Sequence, residues 1–510
     1  MAKRRRLTRA AIGTLRRVVR ALMYGAVGGA IVLIVVFVRY LDARPDLAAW
    51  HGANLDEEFR ADAGVGSFQE YLALEERLFQ QLERLVYDET AATPGTVIDR
   101  YHRGSLADPR RWSPDWNRTF EWKPDGEATA GVLLLHGMSD APYSLRSVGE
   151  PLRAAGAHVI GLRVPGHGTA PVGLVHVEWE DMAAAVELAM LRLAAQAPGR
   201  PLFIVGYSNG GALAVHYALV ALEDEKLPPV QGLVLMSPEI GITGLAALAV
   251  WQERLGHLLG LEKLAWNSIL PEYDPFQYKS FALNAGKQAY ELTQEVQGLI
   301  AQSKERGTLD RFPAVIAFQS VLDATVSAPA LVDGLFARLP AGMHELVIFD
   351  INRSAAIESL LKKNPTAWLD RVFHGEALGF ALTLVTNQSP KSEQVVARRL
   401  EPGDSEARVT PLGLSWPRDV YSLSHVALPF RPDDAVYGGP QGQPSPGVRL
   451  GNLALRGERG ALLLTPADQL RVHWNPFHSW MLGRIDEFVG TSADRERRRP
   501  ASGAAEHFDR

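Results

Sequence analysis

The sequence predicts an α/β fold in which a mostly parallel sheet is covered by helices on both faces, and three observations carry the prediction. From Thr119 onward, short apolar runs alternate with helix-length segments, the pattern of strands joined by crossover helices. One run, Pro201 to Val205, passes through Gly206-Tyr207-Ser208-Asn209-Gly210 into the small-residue segment Gly211 to Leu219, which reads as strand, sharp turn and helix. Hydrophobic content of 46% and charged content of 22% over 510 residues lie near the globular average, so a large core can be buried.

The first element is a basic segment, residues 1–20, in which Lys3, Arg4, Arg5, Arg6, Arg9, Arg16, Arg17 and Arg20 precede an uncharged stretch from Ala21 to Val38. A helix of that length spans about 27 Å, close to the ~30 Å of bilayer hydrocarbon. Tyr24 and Tyr40 suit the two interfaces. The segment 21–40 is therefore read as one transmembrane anchor, with the N-terminus cytoplasmic and the remainder periplasmic or extracellular. A cleaved signal peptide is the competing reading. Against it stand the length of the apolar run and the want of a clear small-residue cleavage site. Gly25 and Gly29 have the spacing that lets two membrane helices approach, so a homodimer through them stands beside a monomeric anchor.

The net charge is −5. With the eight N-terminal cations set aside, 45 basic residues face 58 acidic ones, a balance of −13, which argues against nucleic acid as a partner. The absence of cysteine excludes disulfides, thiolate zinc sites and cysteine nucleophiles.

Residues 41–118 contain a helical pattern around Phe68 to Phe79 and are expected to form a stalk or brace. The main domain is expected over 119–489. Its candidate strands are Gly131 to Leu135, His158 to Arg163, Leu202 to Tyr207, Gly232 to Met236, Val315 to Phe318, and one or both of Glu345 to Phe349 and Phe380 to Val385. Between the fourth and fifth strands, residues 241–307 carry apolar positions at helical spacing. They read either as a cap or as ordinary helices packed on the sheet. The tail, 490–510, has no apolar period and is expected to be disordered.

Glycines flank Ser208 because a nucleophile elbow brings strand and helix too close for a Cβ and leaves the hydroxyl exposed. Ser208 is thus the candidate nucleophile. Leu133-Leu134-Leu135-His136-Gly137-Met138 ends a strand in a His-Gly turn, so the backbone N–H groups of Met138 and Asn209 are the candidate oxyanion donors. His136, and His167 in the turn Gly166-His167-Gly168, read as loop-shaping residues.

The acid is expected to follow the serine and the histidine to come last. Asp323 follows the strand ending near Phe318 and is preferred to Asp350 and Glu239, which also follow candidate strands. His425, in a short segment after the last strand, is preferred to His473 and His478. No H-E-x-x-H and no cluster with ligand spacing occurs, so no metal is expected.

On His136-Gly137, Gly166-His167-Gly168, Gly206-Tyr207-Ser208-Asn209-Gly210, Asp323 and His425, the chain resembles the α/β-hydrolase superfamily, especially its monoacylglycerol lipase and serine aminopeptidase-like branch. The resemblance implies an eight-stranded, mostly parallel sheet, a mobile cap, and cofactor-free esterase, lipase or peptidase activity. One departure is the stretch of about a hundred residues between Asp323 and His425, which requires an insertion folded aside. The anchor and apolar cap suggest a hydrophobic acyl ester as substrate. A peptidase or acyltransferase would use the same triad. A peptidase would need an acidic pocket, for which Glu239, Glu262 and Glu272 are available. A catalytically silent, membrane-tethered binding protein is the alternative of a different class.

Overall fold

The computed structural model describes residues 2–91, 97–241, 262–362, 364–369, 378–451, 458 and 465–498. Helix α1 (Ala2–Asp42) contains the expected apolar stretch. Its portion Val19–Asp42 is long and apolar enough to cross a membrane, and the apolar window within it is not buried against the other described residues.

Ten strands form one sheet. They are β1 (Phe120–Trp122), β2 (Ala130–Leu135), β3 (Ala157–Leu162), β4 (Leu202–Tyr207), β5 (Gly232–Met236), β8 (Ala314–Ser320), β9 (Glu345–Phe349), β10 (Ala381–Asn387), β11 (Gln394–Leu400) and β12 (Arg408–Ser415), in the spatial order β1-β3-β2-β4-β5-β8-β9-β10-β11-β12. A separate two-stranded ribbon pairs β6 (Trp266–Ser268) with β7 (Phe281–Ala282). From β3 to β10 the neighbours are parallel; β1, β11 and β12 pair antiparallel at the margins. Every residue of β2, β3, β4, β5, β9 and β10 is buried, as a sheet covered on both faces demands.

Both candidates for the last strand are strands, β9 and β10, paired in register from Glu345↔Ala381 to Phe349↔Val385. The sheet exceeds the eight strands implied by the resemblance because the chain continues into the β11–β12 hairpin. That hairpin escaped the sequence reading because β12 is largely exposed and so lacks the apolar run that betrays the inner strands. Pro411 sits within β12, a position open to proline only where the strand has a free side.

Alternation sorts the side chains between two cores. Leu133, Leu135, Ile204, Leu235 and Ile348 face α4 (Trp179–Gln196), α5 (Asn209–Val220) and α6 (Leu283–Arg306). Val132, Leu134, Phe203, Val205, Val234 and Met236 face α3 (Arg146–Ala154) and α7 (His478–Arg498). Each such buried aliphatic or aromatic side chain contributes roughly 1.5–3 kcal/mol relative to exposure.

The segment after the anchor is fastened to this body. Helix α2 (Phe68–Leu82) is capped by Ser67, whose Oγ accepts from the Glu70 N–H, and buries Phe68, Tyr71, Leu74, Leu78, Phe79 and Leu82 at helical spacing. Phe68, Tyr71 and Leu74 enter the same core as the sheet. Just beyond β3, the buried Arg163 donates from Nε to Glu75 at 3.0 Å and from Nη2 to Glu58 at 2.9 Å. Arg44 Nη2 donates to the Trp266 carbonyl at 2.7 Å, and Lys263 pairs with Asp46.

Of the expected cap, 242–261 lies outside the described residues. The remainder forms the β6–β7 ribbon and α6, which packs along α5. Where the sequence reading begins a disordered tail at 490, α7 continues to Arg498. Ala493, Arg495, Glu496, Arg497 and Arg498 are residues that favour a helix without needing an apolar stripe. Residues 499–510 lie outside the described ones.

Candidate active site

The turn between β4 and α5 places Ser208 at φ +54°, a left-handed conformation uncommon for any residue but glycine. The surroundings hold it there. Its N–H donates to Met236 O at 2.9 Å, and its carbonyl accepts from the N–H groups of Gly211 at 2.9 Å and Glu239 at 3.0 Å. A Cβ on Gly206 would lie 2.4 Å from Gly210 O, and one on Gly210 would lie 2.1 Å from Leu135 O, so both glycines are required by close approach of backbone.

Ser208 Oγ lies 3.0 Å from His425 Nε2, and His425 Nδ1 lies 2.8 Å from Asp323 Oδ2. The carboxylate can only accept, so Nδ1 carries the proton and Nε2 is left to accept from the serine hydroxyl. Asp323 Oδ1 also accepts from the N–H groups of Thr325 at 2.8 Å and Val326 at 2.9 Å, and Oδ2 from Gln319 Nε2 at 3.0 Å. Burial pushes the Asp323 carboxyl upward, but the bond and charge of His425 and the two N–H groups outweigh it and leave the pKa below the ordinary value. Asp323 is therefore an anion in the site.

The long stretch between acid and base is β9 to β12. After β12 the chain returns across the ends of β8 and β9, held by Asn352 N–H to Tyr421 O at 2.8 Å and Ser320 Oγ to Leu423 O at 2.9 Å. This return delivers His425.

The expected oxyanion donors both stand at turns. Asn209 opens α5, so its N–H is among those without an intrahelical acceptor. Met138 is the second residue of a turn closed by Asp140 N–H to Gly137 O at 3.2 Å, with Ser139 third at φ +67°.

His136 and His167 do not touch the serine. His136 Nε2 accepts from Val164 N–H at 3.1 Å, so Nδ1 donates to Gly137 O at 2.9 Å and the ring ties two loops together in its neutral form. Burial holds its pKa well below the ordinary value and that of His167 near 4. The rival residues are engaged elsewhere: Asp350 pairs with Arg353, His478 Nε2 lies 3.2 Å from both Ser147 Oγ and Pro429 O, and His473 stacks on Tyr437. Glu239 is the exception. Its Oε2 is enclosed and, among the described residues, without a hydrogen-bond partner. Burial pushes its carboxyl up to about 7, against the His425 charge and with that of Asp323.

Asp140 also belongs to the site, and nothing in its local sequence marks it. Gly137 brings it there: a Cβ on that glycine would lie 2.8 Å from Asp140 Oδ2 and 3.1 Å from Ser208 Cβ. Burial, reinforced by the Asp274 charge, raises its carboxyl to about 7 despite Lys279, Gln277 and His425.

Strand order, elbow and the serine, histidine and acid brought together decide the fold. The chain has the fold of an α/β-hydrolase. A family model described as serine aminopeptidase, S33, matches residues 126–304 and supports the monoacylglycerol lipase and serine aminopeptidase-like branch. The chain is 32% identical over 117 residues to a thermostable monoacylglycerol lipase of Bacillus sp. (strain H-257), covering 23% of this chain and 44% of that one. It is 26% identical over 134 residues to phospholipase YtpA of Bacillus subtilis (strain 168), covering 24% and 45%. It thus spans under half the length of these relatives. Among solved structures, the monoacylglycerol lipase of Paleococcus ferrophilus overlaps 46% of this chain and 89% of its own at 18% identity and a TM-score of 0.35. The family match includes Ser208 and ends before Asp323 and His425.

Among the described residues, no group of three or more His, Asp or Glu side chains is arranged to hold a metal.

Proposed function

We propose that the protein is a membrane-anchored serine hydrolase that cleaves carboxylic esters of lipid-like substrates. The observation that carries this reading is the line from Ser208 Oγ through His425 to Asp323, at 3.0 and 2.8 Å. His425, oriented by Asp323, takes the proton of Ser208 as its oxygen attacks the ester carbonyl. The Met138 and Asn209 N–H groups receive the oxyanion, the alcohol leaves with the proton from His425, and water releases the acyl group by the same steps. An anchor over residues 21–40 would keep the enzyme beside membrane-resident esters, and Gly25 and Gly29 would be the contact if it dimerises. The matched relatives, a monoacylglycerol lipase and a phospholipase, support an acyl-ester substrate.

A peptidase reading is favoured by one feature, the unpartnered Glu239 oxygen beside the triad, which could accept from a substrate amine.

Labelling with a fluorophosphonate tests the proposal. Membranes containing the wild type should give one labelled peptide bearing Ser208. Ser208→Ala should lose both label and turnover, the latter by about 10⁶. Undiminished hydrolysis by purified Ser208→Ala would falsify the mechanism.

A further inference from the structure

The Met138 N–H is useful to an oxyanion only if the 137–140 turn keeps its shape, and that turn contains a non-glycine residue, Ser139, at φ +67°. Such a conformation is strained and persists when neighbours over-determine it. The neighbour here is the segment between β6 and β7. Tyr278 N–H donates to Ser139 O at 2.9 Å, and Gln277 Nε2 donates to Asp140 Oδ1 at 2.8 Å. Two consecutive residues thus grip the two residues after Met138.

Gln277 is itself immobilised. Its Oε1 accepts from Lys279 Nζ at 2.6 Å, and Lys279 Nζ pairs with the fully buried Asp274 at 2.8 Å. Asp274 Oδ1 accepts from the Gln277 N–H at 3.1 Å and the Tyr437 hydroxyl at 2.6 Å. The amide orientation follows from these partners, since Nε2 must face the carboxylate and Oε1 the ammonium. A closed chain of bonds therefore runs from Asp274 through Lys279 and Gln277 to Asp140, whose other oxygen shares the vacant Cβ position of Gly137 with Ser208.

We propose that Gln277 is a positioning residue for oxyanion stabilisation, holding the 137–140 turn through Asp140 so that the Met138 N–H meets the oxyanion. The proposal rests on Ser208 being the nucleophile and adds a residue outside the triad and the elbow. A clamp of this kind acts on the transition state more than on the bound ester, because the oxyanion exists only after attack.

The test uses full-length protein, a soluble p-nitrophenyl ester, and a trifluoromethyl ketone that forms a tetrahedral adduct. Gln277→Met keeps the length and removes the donor. It should lower kcat by about 10- to 100-fold, change KM by less than about twofold, and weaken the ketone in step with kcat. Unchanged kcat, or a KM effect with ketone affinity preserved, overturns the proposal. If Gln277→Met melts early, Gln277→Lys, which restores a donor of similar reach, is compared at equal folded fraction. Recovery of kcat supports the clamp, and folded but slow Gln277→Lys overturns it. Ser208→Ala in the same assay separates the two claims, since residual wild-type turnover there refutes the serine mechanism rather than the clamp.

Discussion

His425 Nδ1 lies 2.8 Å from Asp323 Oδ2 although 102 residues separate them. The bond is made possible by strands β9 to β12, which extend the sheet outward and bring the chain back over its own strand ends. The acid does not move toward the base; the intervening chain is stored as extra sheet.

That bond fixes which ring nitrogen of His425 carries the proton. Asp323→Asn presents an amide that can donate in its place, and the ring then offers Ser208 the wrong tautomer. The expected result is a fall in kcat of about 10³ to 10⁴ with KM and melting temperature little changed. Steady-state kinetics with a soluble ester decide it, and a loss below about tenfold would assign the acid elsewhere, Glu239 first.

Asp140 should make stability pH-dependent. Its native carboxyl titrates near 7, above the ordinary value of 3.8, so between those two pH values the unfolded chain has released a proton that the native state retains. Stability from this group is therefore full below about pH 4, falls as pH rises toward 7 and is then constant, with a total cost of a few kcal/mol at most. Asp140→Asn keeps an acceptor for Gln277 and removes the titration. Denaturant midpoints should show the variant gaining on the wild type at pH 8 and not at pH 4; an equal difference at both values contradicts the assignment.

Removal of residues 1–40 should transfer the protein from a carbonate-resistant membrane pellet to the supernatant, because none of the other described residues buries the apolar part of α1. Hydrolysis of a soluble ester should stay within about twofold, since Arg44 and Asp46, which hold the body, remain. Full-length protein released by carbonate would exclude the span.

The elbow was legible because its requirements are local. Gly206 and Gly210 announce close backbone approach, and the strand before and helix after supply the context. Chain order pointed to Asp323 and His425 as candidates, and the structure brings both side chains to Ser208. The β11–β12 hairpin was not legible, because an exposed margin has no apolar signature, and so the sheet appeared shorter than it is. Asp140 and Gln277 were invisible for a different reason. Their bond spans 137 residues and depends on how the β6–β7 segment lies across the His-Gly turn, which no spacing in the sequence encodes.

The outer edge of β12 bears on how copies of the protein would behave if the proposed anchor holds them in a bilayer. Copies so anchored would diffuse in two dimensions with their sheets at similar heights, a setting that favours side-to-side strand pairing into stacks. At one margin β1 is three residues long, too short to template a neighbour. At the other, Pro411 removes a donor from the middle of β12, and Arg408 sets a cation at its start. Among the described residues both open margins of the sheet are thus poor templates, and copies that the proposed anchor confined to one membrane would crowd together without zipping into a ribbon.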